Sequence, residues 1–584
     1  MDQKTDVVDL VSTLLDSGKY KEALSVPNKK QYAESFKDNC WDLISIVVSK
    51  VENDTITLKP SLYGACEELL SVIIEKATPE EALLEIIEQI EVAKNDAQFS
   101  IILNPLQKLL KKLSVKRGRS LEWCLNSIST YIEAIPIPDH HLEGKERLLM
   151  DSDSNARRIV HVYSLLPSFY QPFVEELSKN DCNNKTVYII AAFLISLFGK
   201  PLIYMDLDPE SGINSQLRQC CETILKDVCT LVKNILKFMP YLENSYKESQ
   251  IANSKKKTSD NDDDVHPYEH REKINVTTLS GLFYLTFSGD FVVPDYAIPQ
   301  VFSHEYMVHN ILLSVNHFLQ FAEYGPQIKG LTLCNNILNL YENKTSHTFL
   351  TLSIHYDLCK SLINLSIYSS YETVRKNSVK LIGIHINKFD YKGRIMLIKY
   401  IIDIANHSGM IGYAITQYKN SLDEAFKESY LPECFSGAQF LNMVKKICYL
   451  PYGVESDLVE LADQIITALN FLRYLALKDA ENKTGIRECF PIIETDYLDN
   501  LRTGLNMSKA HYEMKLKELE ESKDICSKED KVSINIGGKM LDKIPTKNKK
   551  EIIHSALNAF HLIEGLVGRL TECVHINKAH VYNE

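Results

Sequence analysis

Two clusters in this 584-residue chain carry residue types that could hold a metal. His304-Glu305-Tyr306-Met307-Val308-His309 resembles a helical zinc-hydrolase signature, in which two histidines flank a general base. That chemistry needs the histidines four residues apart, on one helical face. Here they stand five apart and point in different directions, so a loop-helix junction is expected instead. Asp139-His140-His141 with Glu143 offers ligand types in a Pro-containing loop. No second ligand cluster lies near it in sequence, so a surface grouping is expected. The fourteen cysteines include no CxxC pair, and Cys220-Cys221 are adjacent. Neither a zinc knuckle nor a disulfide framework follows, and reduced thiols are expected. There is no phosphate-binding glycine loop, no GxGxxG and no GxSxG elbow. We therefore expect no catalytic residues, no metal and no cofactor, and a protein that is not an enzyme.

The residues best suited to recognition lie further along. Leu501, Leu505, Tyr512, Leu516 and Leu519 recur at three- and four-residue steps and share one face of a helix of about 492–522. Met507, Ala510 and Met514 form a second stripe nearly opposite. One packed side needs only one stripe. Two stripes imply a helix between two layers, or one with a face left for a partner. Apolar stripes mostly mark cores, so core contact on both sides is the first expectation. As the partner face we single out Met507, His511, Met514, Lys515 and Glu518: methionine adapts to an apolar groove, and the charged pair can meet charges around it. Beyond this helix, Val532, Ile534 and Ile536 alternate with Ser533 and Asn535. Gly537-Gly538 supplies a two-residue turn and Lys539-Met540-Leu541 returns, which predicts a β-hairpin. Asn535 and Lys539 are its exposed candidates.

The elements that must position these residues read as helices. Only 22 glycines and 19 prolines punctuate the chain, and 45% of it is hydrophobic. Segments of 12–20 residues with short breaks run throughout. Thr78-Pro79-Glu80-Glu81 marks one helix start, with Thr78 as N-cap and Pro79 in the first turn. Other helices are expected near 155–179, 184–199, 211–238, 276–288, 298–322, 326–342, 347–367, 371–386, 391–406 and 455–478. A last helix at 547–576 repeats Ile553, Ala556, Phe560, Ile563, Val567, Leu570 and Val574, and must pack on something, the 505–522 helix first. No strict repeat consensus emerges, so the expected fold is all-α: a degenerate, HEAT-like helical-repeat solenoid with one small hairpin. The polar run Ser254–Asp264 cannot bury surface and is expected to be a solvated loop. It suggests an N-terminal half at 1–250, a charged flexible loop at 251–272 and a C-terminal half at 273–584.

Charge narrows the partners. The net charge is -12, which argues against nucleic acid. Residues 501–584 carry a balance of +2 against -14 for the rest, so the C-terminal end suits a different partner. The first ten residues lack a basic segment followed by an apolar run, so no signal peptide is expected. The longest apolar run, Val187–Phe198, is shorter than the ~20 residues of a membrane span. A cytoplasmic protein, also found in the nucleus, is the expectation.

Several motifs carry a family resemblance. Gly504-Leu-Asn-Met-Ser-Lys-Ala-His-Tyr-Glu513 resembles a segment of the glomulin family, the helical-repeat inhibitors of cullin–RING ubiquitin ligases. So do Asn406–Gly409, Tyr418–Asp423, Leu450–Leu458, Ala468–Leu475 with Lys478-Asp479, and His554–Leu557 with Leu562–Glu564. Their order and spacing agree over about 370–576. The resemblance implies a protein that clamps the RING domain of the RING-box subunit and covers the docking surface of the ubiquitin-conjugating enzyme, without chemistry of its own. It places that contact in the C-terminal half. It also implies a second possibility, an adaptor for an immunophilin or a receptor kinase through the N-terminal half.

Overall fold

The computed structural model describes residues 6–113, 117–138, 143–179, 185–207, 212–254, 274–341, 344–521, 535–536, 539–540 and 546–581. The chain divides into two compact units, Met1–Leu340 and Tyr341–Glu584.

The first unit is built from α1 (Val7–Asp16), α2 (Tyr20–Ser25), α3 (Ala33–Asp38), α4 (Cys40–Ser49), α5 (Thr55–Leu58), α6 (Pro60–Lys76), α7 (Pro79–Glu91), α8 (Asp96–Lys112) and α9 (Arg117–Glu133). It continues with α10 (Ser154–Ser178), α11 (Lys185–Ser196), α12 (Gly212–Val232), α13 (Met239–Ser254), α14 (Val276–Phe287), α15 (His304–Leu319) and α16 (Tyr324–Leu338). Packing is local in sequence: α4 on α6 and α7, α7 on α8 and α9, α10 on α12, α14 on α15, α15 on α16. That is the pattern of a helical array, in which each element buries its apolar stripe on near neighbours. Starts follow capping chemistry. Asp6 accepts from the Val8 amide at 3.0 Å, and Asn95 from the Gln98 amide at 2.9 Å. Thr78 precedes α7 as expected, but its side chain makes no capping bond; Pro79, Glu80 and Glu81 mark that start.

The charged stretch does not divide the units. α13 packs against α14 and α15 on its far side, and the division falls later, at Leu340. Polarity marks what cannot be buried; it says nothing about which helices share a core. The described part of 251–272 is the end of α13, a helix the sequence reading left out, and residues 255–273 lie outside the described ones.

The second unit holds α17 (Ile354–Tyr368), α18 (Glu372–Asn387), α19 (Tyr391–Ile404), α20 (Ser408–Ala425), α21 (Gly437–Ile447), α22 (Ala462–Lys478), α23 (Ile486–Ile493), α24 (Asp499–Glu521) and α25 (Thr546–Val581). A π-helical turn, Glu494–Leu498, joins α23 to α24. The pairs α17–α18, α19–α20, α20–α22, α22–α25 and α24–α25 make its core. Near the C-terminus, Asn535 pairs with Met540 and Ile536 with Lys539 in a two-residue antiparallel ladder, β1 with β2. Residues 531–534, 537–538 and 541–545, which complete the expected hairpin, lie outside the described residues. Apart from this ladder and one isolated bridge, Thr345 with Phe389, the regular structure of the described residues is helical. No described helix is long and apolar enough to cross a membrane.

Candidate protein-interaction surface

The C-terminal helices position the candidate residues. On α25, Ile553, Ala556, Phe560, Ile563, Val567 and Leu570 are buried, and they face both α22 and α24. The sequence reading named α24 as the partner of this helix; α22 shares that role. α24 contributes Leu501, Leu505, Tyr512 and Leu519 to the shared core. The Tyr512 ring meets Phe560 edge-on at 5.5 Å. Burial pushes the Tyr512 phenol pKa up, and the Asp457 carboxylate adds to it. Ion pairs lock the register: Lys509 with Glu564, and Lys550 with Glu520 at 3.5 Å. Arg502 bonds Glu494 and Asp499 at 2.6 and 2.8 Å and reaches Thr571 Oγ1 at 3.1 Å, so it ties the π turn to α25. Burial alone would lower the Arg502 pKa; the two carboxylates outweigh it and raise it. α24 also meets the 3₁₀ turn Gly453–Glu455 at Gly504, where a Cβ would sit 2.9 Å from the Val454 carbonyl oxygen.

These contacts leave the second stripe open. Met507 is 57% and Met514 53% exposed, and Ala510 is exposed as well. Core contact on both sides of the stripe is therefore corrected: only the Leu501–Leu519 stripe enters the core, and within it Leu516 is half-buried. His511 is exposed, with its ring 5.7 Å from Tyr512 and nearly perpendicular to it. Lys515 is half-buried, its Nζ 5.8 Å from the Tyr512 ring, and Glu518 is exposed. Met507, His511, Met514 and Glu518 thus lie on one open side of a fixed helix. Of Asn535 and Lys539 only the backbone pairing is described. Leu562 on α25 and Tyr452 beside the 3₁₀ turn are 53% and 77% exposed, and sequence reasoning assigned neither a role. Leu562 could have been found as an apolar residue outside the 3-4 stripe of its helix.

The other candidate chemistry fares differently. His304 is the exposed first residue of α15, capped by Ser303, whereas His309 is half-buried and its pKa is lowered by burial. No described group of His, Cys, Asp and Glu is arranged to hold a metal ion. Residues 139–142 of the Asp139–Glu143 cluster lie outside the described residues. Burial pushes the thiols of Cys40, Cys66 and Cys359 up to about 11, 12 and 12. They stay protonated at neutral pH and make poor nucleophiles.

Known proteins place the chain. Human glomulin is 27% identical over 96% of this chain and 92% of its own length, and mouse glomulin is 26% identical over the same shares. Among solved structures, the karyopherin Kap121p bound to the C-terminus of the phosphatase Cdc14p aligns over 97% of this chain and 61% of its own, at 11% identity and a TM-score of 0.22. A chain from a structure of the cadherin–β-catenin interaction aligns over 97% and 98%, at 10% identity and a TM-score of 0.23. The family described as YAP/Alf4/glomulin matches residues 37–554, so this chain belongs to the YAP/Alf4/glomulin family.

Proposed function

We propose that this protein is a non-enzymatic inhibitor of cullin–RING ubiquitin ligases, acting in the cytoplasm or nucleus. On this reading it binds the RING domain of the RING-box subunit and blocks docking of the ubiquitin-conjugating enzyme. Inhibition by occlusion asks for a rigid helical face with apolar anchors and no reacting group. The observation that carries the reading is the open face of α24, where Met507 and Met514 stand exposed on a helix held by α25 and the Gly453–Glu455 turn. Family membership supports the choice of partner. Buried apolar anchors dominate binding energies, and charged neighbours such as Lys515 and Glu518 tune them.

The test is binding of the full chain to a neddylated cullin–RING-box complex, with ubiquitin-chain formation read in parallel. Wild type should bind and suppress chain formation. Met507→Glu with Met514→Glu should weaken binding about tenfold or more. Because both positions are exposed, the melting temperature should hardly move. No binding by wild type, or undiminished binding by the double variant, would overturn the assignment.

A further inference from the structure

Among the described residues of the first unit, five exposed apolar side chains follow one another along the connection between α14 and α15 and the first turn of α15. Val292, Tyr296, Val301, Phe302 and Tyr306 are 94, 56, 67, 39 and 38% exposed. Exposed apolar residues scattered singly are ordinary; the contiguous Phe302–Tyr306 pair, with three more exposed apolar residues in the preceding ten, is not. Their exposure does not come from fraying. The connection is tied at its start, where the Asn336 side chain donates to the Ser288 carbonyl and Phe291 meets Tyr284 edge-on at 6.3 Å. Ala297 is fully buried in its middle, and its amide donates to the Pro294 carbonyl at 2.9 Å. At its end the Phe302 and Tyr306 rings lie 5.0 Å apart, and Ser303 caps α15 by accepting from the Tyr306 amide at 3.3 Å. Two aromatic rings are therefore held side by side and open to solvent.

The stretch itself carries charge of one sign, and the cation that α13 brings towards α15, Lys247, which acts on His309, is paired with Glu243. From Ile274 to Ile328 the chain contains no lysine or arginine, while Asp290, Asp295, Glu305 and Glu323 are acidic. Arg218 from α12 reaches this connection, but it faces inward. It donates to the Asp290 carbonyl, lies 4.3 Å from the centre of the Phe291 ring and is 13% exposed. Asp295 is exposed and Glu305 half-buried. Neither has an ion pair among the described residues.

We propose that the α14–α15 connection is a second docking surface, whose occupant is a basic amphipathic segment of a partner protein that seats apolar side chains on the Phe302–Tyr306 pair and lysines or arginines against Asp295 and Glu305. Aromatic anchors supply the affinity of such contacts, and opposite charge supplies approach and selectivity. The surface is separate in sequence and in compact unit from the α24 face and does not rest on the ligase reading.

Fluorescence anisotropy of the full chain with a labelled leucine–lysine amphipathic peptide tests this, with its leucine–glutamate counterpart as control. A protein of net charge -12 attracts any polycation, so the variants decide. Val301→Ser with Phe302→Ser should lose at least tenfold in affinity for the basic peptide. Val292→Ser with Val301→Ser, at the two most exposed positions, should lose affinity without touching the ring pair. Asp295→Lys with Glu305→Lys should lose affinity and flatten its dependence on salt between about 0.05 and 0.3 M. Met507→Glu with Met514→Glu should bind the peptide as wild type does. Equal binding by wild type and the three connection variants would overturn the proposal. So would equal affinity for the acidic peptide, or self-association on sedimentation that disappears in Val292→Ser with Val301→Ser, which would make the occupant a second copy of the chain.

Discussion

At the scale of single residues, four side chains of the second unit form a buried chain. The Tyr341 hydroxyl lies 3.3 Å from His355 Nε2, His355 Nδ1 lies 3.1 Å from His385 Nε2, and His385 Nδ1 lies 3.5 Å from the Cys359 sulfur. Phe389 packs edge-on against both imidazoles, at 5.3 and 5.5 Å. With both imidazoles neutral, each link can have one donor and one acceptor; a second proton on His385 would place a charge in a site closed to water. Burial, and then His355, hold the His385 pKa well below the ordinary 6.5. The unfolded imidazole thus takes its proton near pH 6.5 while the folded one resists. Stability should be full above that pH and fall as the pH drops below it. Urea unfolding at pH 7 and pH 5 checks this. Wild type should lose about 1–2 kcal/mol more than His385→Phe between the two, although the variant is weaker at pH 7. Parallel losses would show that His385 is not the acid-sensitive group. In the first unit, Lys329 is buried and donates to the carbonyls of Ile203, at 3.0 Å, and Met205. Burial lowers its pKa to about 8. Lys329→Met should cost about 2–4 kcal/mol in a urea titration, since it leaves two buried carbonyls unpaired. Neither feature is legible in sequence, because each joins residues from separate segments whose polarity alone reads as surface.

Elements were legible where period and punctuation agree. The stripes of α22 and α25 stand out. α20 and α21 did not stand out, because glycines and serines read as breaks. Gly412 lies inside α20, and a Cβ there would sit 3.0 Å from Thr467 Oγ1 of α22. The small residue serves a close helix approach rather than a turn. The open face of α24 was legible only as a second stripe: periodicity shows that a face is apolar, and the arrangement of neighbours decides whether it is covered. Glycines on α24 and α25 give a paired prediction at this scale. At Gly504 an added methyl meets the Val454 carbonyl at 2.9 Å, whereas at Gly565 it meets nothing within 4 Å. Gly504→Ala should therefore destabilise by about 1–2 kcal/mol, overpacking outweighing helix propensity. Gly565→Ala should stabilise by about 0.5–1 kcal/mol through propensity alone. Shifts of the same sign in the urea midpoint would contradict this packing.

For the whole molecule, two compact units with their own cores need not unfold together, since chains of more than one domain depart from two-state behaviour. The sequence offers a means to see this. Its two tryptophans, Trp41 and Trp123, both belong to the first unit, while helices fill both. Tryptophan fluorescence then reports the first unit, and the helical circular dichroism signal reports the two together. In urea the two probes should give different transitions. Lys329→Met should lower the fluorescence midpoint. His385→Phe should leave that midpoint unchanged while lowering the part of the dichroism transition that fluorescence does not follow. Coincident transitions in wild type, with both substitutions shifting both probes equally, would mean that the units fold as one cooperative body. A change in one unit would then be felt at the docking surface of the other, and the α14–α15 and α24 surfaces could not be tested independently. Separate transitions would mean that each surface keeps its shape when the other unit is perturbed, so a partner bound at one need not alter affinity at the other.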